Sequence, residues 1–423
     1  MRESRREFIK RLSAFAAIGA VGGCATTGVA KAGRVVVIGG GYGGATAAKY
    51  IRMWGPDIDV TLVERNEYFV SCPISNLVIG GSKTIADVTV SYGGLAKYGV
   101  KVMRDEAVQI DSEKRVVQLA SGATLSYDRL VVAPGVDFVS DQIPALSTAA
   151  AFEQIPHSWK AGPQTVLLRR QLEAMRDGGV YAICVPKSPY RCPPGPYERA
   201  CQVANYFKKA KPKSKVLILD ANEDVQSKKG LFMTAWNGPY KGMVEYRPNS
   251  ELVDVDVKTR TAKLQFDEVR ADVLNVVPPQ RAGDIAQRAG LITANDRWCG
   301  VDWLSMESVA RRNIHVLGDA TLSAPAMPKS GHMANQHAKI AAAAIVELMH
   351  GRPPFQAPVI ANTCYSFIDD RNVVHVASVH AYDAGQKTLV VVKGSGGLSS
   401  SATEIEGQFA MAWAQNIWSD MLS

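Results

Sequence analysis

Arg34-Val35-Val36-Val37-Ile38 runs straight into Gly39-Gly40-Gly41-Tyr42-Gly43-Gly44, and an alanine-rich run, Ala45 to Met53, follows. Four consecutive β-branched residues predict a strand buried on both faces. The run after the glycines predicts a helix, and Asp59–Val63 a second strand ending at Glu64. Together they make a βαβ unit. Its chemistry follows from the spacing. Gly39 permits the tight turn, Gly41 lets the backbone approach a pyrophosphate, and Gly44 lets helix and strand pack closely. The helix N-terminus then presents its amides to the phosphates. Glu64 is placed to accept hydrogen bonds from a ribose, with Arg65 beside it as a further cofactor contact. The expectation is a dinucleotide site.

Two later segments say which dinucleotide. Tyr127-Asp128-Arg129-Leu130-Val131-Val132-Ala133-Pro134-Gly135 resembles the strand and turn by which flavoprotein disulfide reductases rejoin their first nucleotide domain. Ile314-His315-Val316-Leu317-Gly318-Asp319-Ala320 resembles their second FAD motif, which delivers an aspartate to the cofactor. Met327-Pro328-Lys329-Ser330-Gly331 then opens a helix running to about Met349. The resemblance implies FAD, with Ala133, Gly135, Asp319 and Lys329 added to the contacts.

Between these segments lies a second α/β region, with strand Val180–Val185, helix Tyr197–Lys208 and strand Lys215–Asp220. A nicotinamide-binding relative carries a second glycine turn after the first of these strands. Here the loop contains Pro186, Pro189, Pro193, Pro194 and Pro196. Prolines offer no amide donors, so no pyrophosphate cradle is expected. The C-terminal region has strand-like runs at Val373–Val379 and Thr388–Val392 and ends in an amphipathic stretch, Phe409–Leu422. The expected fold is α/β: two Rossmann-like dinucleotide-binding domains of the glutathione-reductase type and a smaller C-terminal α+β domain. The boundaries are 31–155 with 281–352 for FAD, 156–280 for a nucleotide-free NAD-binding-like domain, and 353–423 for a flavin-covering interface domain.

The chain has 423 residues, too many for one compact core. Its formal charge is +8, and no basic run interleaved with aromatics points to nucleic acid. Ser4-Arg5-Arg6-Glu7-Phe8-Ile9-Lys10, then an apolar stretch from Leu12 to about Val21, resembles a twin-arginine export signal. Residues 1–30 are therefore expected to be removed and the protein to be periplasmic, exported folded. A lipidated Cys24 is the other reading of this segment. The apolar stretch is too short to span a bilayer.

Six cysteines follow position 30: Cys72, Cys184, Cys192, Cys201, Cys299 and Cys364. None has haem-attachment or zinc spacing, so no metal site is expected. Ser71-Cys72-Pro73-Ile74-Ser75-Asn76, the run Arg191 to Ala200 (Arg-Cys-Pro-Pro-Gly-Pro-Tyr-Glu-Arg-Ala), Pro278 to Gly283, Pro328 to Gly331 and Asn362 to Ser366 resemble the flavoprotein subunit of flavocytochrome c sulfide dehydrogenase. The likeness spans nearly the whole chain after Gly33 and weakens after about Arg371. It implies FAD tethered covalently through Cys72 and a redox disulfide between Cys192 and Cys364. It also implies a c-type cytochrome subunit carrying the haem. From the residues alone, Cys72 is a lone thiol that is tether, thiolate or inert neighbour. A bridge closing so long a loop would, as a purely structural link, stabilise by roughly 5 kcal/mol.

The implied reaction is thiol exchange. Sulfide attacks one sulfur of the disulfide, giving a persulfide and a thiolate, and two electrons pass to FAD. Glu198 is expected either to move a proton or simply to complement the helix dipole. Cys184 reads as a buried hydrophobe, and Cys201 as the rival partner of Cys192. Two other functions stay open: a sulfide:quinone oxidoreductase and a non-catalytic sulfur-carrier flavoprotein.

Overall fold

The computed structural model describes residues 31–423. The expected export signal and Cys24 fall on residues 1–30, outside the described residues.

Strand β1 (Gly33–Ile38), buried from Val35 onward, feeds helix α1 (Tyr42–Trp54), and β2 (Ile58–Glu64) returns parallel to β1. Gly39 has φ +93°, and a Cβ there would lie 2.4 Å from the Ala133 carbonyl oxygen. A Cβ on Gly44 would lie 1.8 Å from the Gly39 carbonyl oxygen. Only glycine fits at either point. The short helix α2 (Ser75–Gly80), β3 (Lys101–Arg104) and β4 (Arg129–Val132) follow. The chain then builds β5 (Val180–Val185), α3 (Gly195–Ala210), β6 (Lys215–Asp220), β7 (Val244–Arg247) and β8 (Val273–Val276). It returns with β9 (Ile314–Val316) and α4 (Gly331–Met349). It closes with β10 (Val359–Phe367), β11 (Val373–Asp383), β12 (Thr388–Val391) and α5 (Glu404–Leu422).

The first sheet has the order β9-β4-β1-β2-β3, all parallel, so residues after 313 pair with residues before 133. The second is parallel with the order β7-β6-β5-β8. The third is an antiparallel meander, β10-β11-β12. The order in which strands are added reverses about β1, and the glycine turn leaves the sheet's carboxyl end, where open α/β sheets bind ligands. Alanines 45 and 48 of α1 and 338 and 341 of α4 share one buried core, which lets the two helices approach closely.

The amphipathic C-terminal stretch is a docked helix. Lys49 Nζ donates to the carbonyls of Ser419 (3.1 Å) and Ser423 (2.5 Å), and Trp418 Nε1 donates to Tyr42 Oη at 3.1 Å. Asn335 Nδ2 donates to Asp420 at 2.7 Å. Ile405 and Phe409 stay exposed. No helix among the described residues is long and apolar enough to cross a membrane. Strand β10 has no counterpart in the sequence reading. Asn362 and Thr363 interrupt its apolar alternation, but Asn362 faces inward, where its Oδ1 accepts Ser330 Oγ at 2.7 Å.

Candidate active site

A cavity of about 1030 Å³ opens along the carboxyl end of the first sheet and runs under β10. Gly39, Gly41, Glu64 and Arg65 line one end. A Cβ on Gly41 would meet nothing within 4 Å, so its backbone stands open to a ligand. Glu64 is locked in place: Oε2 accepts Gly40 N at 2.6 Å, and Oε1 accepts Asn66 N at 2.8 Å and Asn66 Nδ2 at 2.6 Å. Arg65 pairs with Glu106 at 3.3 Å on the rim. Ala133 and Gly135 form the floor. Gly44 acts from behind, through the close packing described above.

Asp319 lines the middle of the cavity. Its Oδ1 is buried with no hydrogen-bond partner, and such an atom costs roughly 1–3 kcal/mol until something satisfies it. Burial pushes its carboxyl up, and the charges of Arg191 and Lys329 oppose this. An open glycine turn, a locked carboxylate at Glu64 and an orphaned buried acid in the cavity wall fit a dinucleotide such as FAD. Lys329 departs from expectation. Its Nζ turns away, donating to the carbonyls of Asp319 (3.1 Å) and Thr321 and lying 3.7 Å over the Trp298 ring. It braces the turn that carries Asp319, and only its neighbours reach the cavity.

Three of the cysteines line the same cavity. The Cys72 thiol faces the Trp159 carbonyl at 3.7 Å and accepts the Ala161 amide at 3.4 Å. Cys192 holds a left-handed φ of 57°, and its amide donates to the Lys329 carbonyl at 2.9 Å. A Cβ on Gly195 would sit 3.0 Å from Cys192 Sγ, so that glycine makes room for the sulfur. Cys364 sits mid-strand on β10, with its sulfur 3.4 Å from Asn362 Nδ2. Cys192 and Cys364 are separate thiols in this structure. Burial pushes the Cys192 thiol up; Glu198 and Cys364 add to the effect, and Arg191 opposes it.

Cys201, the rival partner, is fully buried in the core of the second unit beside Trp236 and is not on the cavity wall. Nearly two helical turns past the loop, its side chain is buried in the protein. Cys184 is a buried hydrophobe, its thiol pushed up to about 12 by burial. Cys299 is buried likewise.

Glu198 stands in the first turn of α3, but its carboxylate does more than complement that helix. Oε1 accepts Phe367 N at 3.1 Å and Oε2 accepts Asn76 Nδ2 at 3.1 Å. It thus ties α3 to the Cys72 turn and to the Cys364 strand. Burial raises its carboxyl; the Phe367 amide and the charge of Lys228 hold it down. Arg199 completes the knot through Asn76 Oδ1 and the carbonyls of His157 and Ser158.

At the carboxyl end of the second sheet the proline loop stands beside a buried acid. Asp220 ends β6 fully buried and accepts Tyr197 Oη at 2.6 Å, Tyr246 Oη at 3.2 Å and Asn222 Nδ2 at 2.7 Å. Tyr190 is buried against the loop, donating to the Pro193 carbonyl.

Sequence reasoning passed over Arg191, Trp159 and Lys228. Arg191 lines the cavity, and its guanidinium bonds the Trp159 carbonyl that also faces Cys72. Its place next to Cys192 was the available signal. Trp159 and Lys228 lie in irregular segments with none.

Three family models match this chain. Residues 33–160 match the pyridine nucleotide-disulphide oxidoreductases. Residues 165–278 match the central part of the sulfide dehydrogenase (flavocytochrome c) flavoprotein chain, and residues 356–422 match the flavin-binding part of flavocytochrome c sulphide dehydrogenase. The flavoprotein chain of that dehydrogenase from Chlorobaculum thiosulfatiphilum is 62% identical over 45 residues, 11% of this chain and 94% of the relative. The chain belongs to the flavocytochrome c sulfide dehydrogenase flavoprotein family. As a member it is a flavin-binding oxidoreductase of a sulfide-oxidising group. The mitochondrial sulfide:quinone oxidoreductase of mouse is 22% identical over 304 residues, 68% of this chain and 65% of the mouse protein. The structure of sulfide:quinone oxidoreductase from Aquifex aeolicus superposes with a TM-score of 0.75 at 19% identity, covering 92% of this chain and 91% of that one. At that identity the likeness speaks for the fold.

Proposed function

We propose that this flavoprotein oxidises sulfide through the Cys192–Cys364 pair and passes the electrons to a c-type cytochrome partner in the periplasm. The observation that supports this most is the convergence of Cys192, Cys364 and Cys72, from three separate segments, on the cavity that Asp319 faces. Bound FAD would supply an acceptor for two electrons that releases them one at a time. Asp319, Glu64 and the Gly39–Gly44 turn would hold it, and Cys72 would be the residue for a covalent tether.

The chain's own residues do the rest. In the oxidised pair, sulfide bonds to one cysteine sulfur and the other leaves as a thiolate. Glu198, buried and raised, holds or moves a proton beside that pair. Arg191 carries positive charge between Cys72 and Cys192. His332, Tyr365 and Trp413 line both this cavity and a second groove beside α5. We read that groove as the side facing the electron acceptor. Sulfide-driven loss of flavin absorbance tests the sulfide half of this function: Cys192→Ser and Cys364→Ser are each expected to abolish it while retaining the flavin.

A quinone acceptor is the second reading, favoured by the long alignment with the sulfide:quinone oxidoreductases. Reoxidation of the sulfide-reduced protein by cytochrome c but not by a soluble quinone separates the two.

A further inference from the structure

Lys228 lies 36 residues past Cys192 in sequence, at a left-handed φ of 56°, and its side chain is buried. It crosses from the second unit to the C-terminal sheet. There its Nζ donates to the Cys364 carbonyl at 2.7 Å and to Ser366 Oγ at 2.8 Å. Both partners are neutral, and among the described residues no carboxylate hydrogen-bonds to it. Burying an ammonium against neutral oxygens is costly unless charge nearby repays it. The groups facing it are Cys364, Glu198, Cys192 and Glu406, every one neutral or negative. Burial lowers its pKa to about 8, so it is still protonated at neutral pH.

The exchange reaction adds a negative charge beside this ammonium. Hydrosulfide attacks one sulfur of the oxidised pair. A new S–S bond forms, the Cys192–Cys364 bond breaks, and its electron pair leaves as a thiolate on the other cysteine. The persulfide keeps the proton of the hydrosulfide. One negative charge has therefore entered a buried pocket that already holds Glu198.

We propose that Lys228 is a positioning residue that fixes the Cys364 strand against the second unit and supplies the counter-charge for the anion this pair accepts from hydrosulfide. The proposal rests on the sulfide reading of the same site. A merely structural donor would do as well uncharged; this one has to be cationic.

The test uses FAD-loaded protein as wild type, Lys228→Met and Lys228→Arg, with two readouts between pH 6 and 10. The first is alkylation of Cys364 by iodoacetamide after reduction, followed by peptide mass spectrometry, with buried Cys201 as internal control. Lys228→Met is expected to slow Cys364 about tenfold at pH 7, because thiolate character depends on a nearby cation, and Lys228→Arg to restore it. The second readout is sulfide-driven flavin bleaching. Its rate relative to Lys228→Arg is expected to fall above about pH 8 in the wild type, where Lys228 loses its proton. Unchanged Cys364 alkylation in Lys228→Met overturns the proposal. Should Lys228→Met fail to load FAD, parallel pH profiles for wild type and Lys228→Arg overturn it instead. A wild type that sulfide does not bleach at any pH sinks the sulfide reading, and the alkylation ratio still decides Lys228 independently.

Discussion

Asp319 holds a buried oxygen without a partner at the centre of the cavity. A charged group meeting a ligand hydroxyl is worth about 1.5–3 kcal/mol, so Asp319→Ala should weaken flavin retention roughly 10- to 100-fold. Flavin content after dialysis or gel filtration, with the change made in a Cys72→Ser background that removes the tether, checks this. Asp319 was legible because its strand and turn follow a known pattern. The sequence places Lys329, two residues before a helix start, toward the cofactor, and only the fold shows that it turns back onto Trp298. Lys228 gave no signal, since nothing local tells a buried lysine from a solvated one. Histidines carry a second prediction at this scale. His315 is fully buried, bonded to the Ser305 carbonyl at 2.8 Å and facing Arg129 at 3.2 Å, and burial lowers its pKa to about 3. A depressed pKa means that the unfolded chain takes up the proton first. Its contribution is full above pH 6.5 and is lost as the pH falls toward 3. His315→Gln should therefore lose less melting temperature than the wild type between pH 7 and 5, measured with FAD bound.

At the scale of elements, the βαβ start was readable because a long β-branched strand, a glycine turn and a terminal acid each constrain the same unit. Gly44→Ala puts a methyl 1.8 Å from a backbone oxygen. Overpacking against rigid backbone costs about 1–3 kcal/mol or more, so this variant should melt several degrees lower and load less flavin. Helix α3 began two residues before its expected start, since Pro196 suits a first turn. Strand β10 was missed because its polar residues answer to tertiary partners: Asn362 bonds Ser330, and Ser366 bonds Lys228. The same limit applies to Cys201, whose helix phase directs it into the core. Cys201→Ala should cost about 1 kcal/mol, as small buried truncations do, and leave sulfide-driven bleaching at the wild-type rate.

For the whole molecule, three sheets and a docked C-terminal helix bring the Cys72 turn, the Cys192 loop and the Cys364 strand to one cavity, with Glu198 tied to two of them. The loop after β5, with its five prolines, and Asp220, bonded to two tyrosines, make sulfide rather than NADH the expected donor. The most direct test is the flavin spectrum of the FAD-loaded protein under anaerobic conditions, with sulfide and NADH added to separate samples. The account predicts bleaching by sulfide alone, reoxidation by cytochrome c, and no sulfide response in Cys192→Ser. Bleaching by NADH, or no response to sulfide from protein with FAD bound and the Cys192–Cys364 pair oxidised, would contradict it.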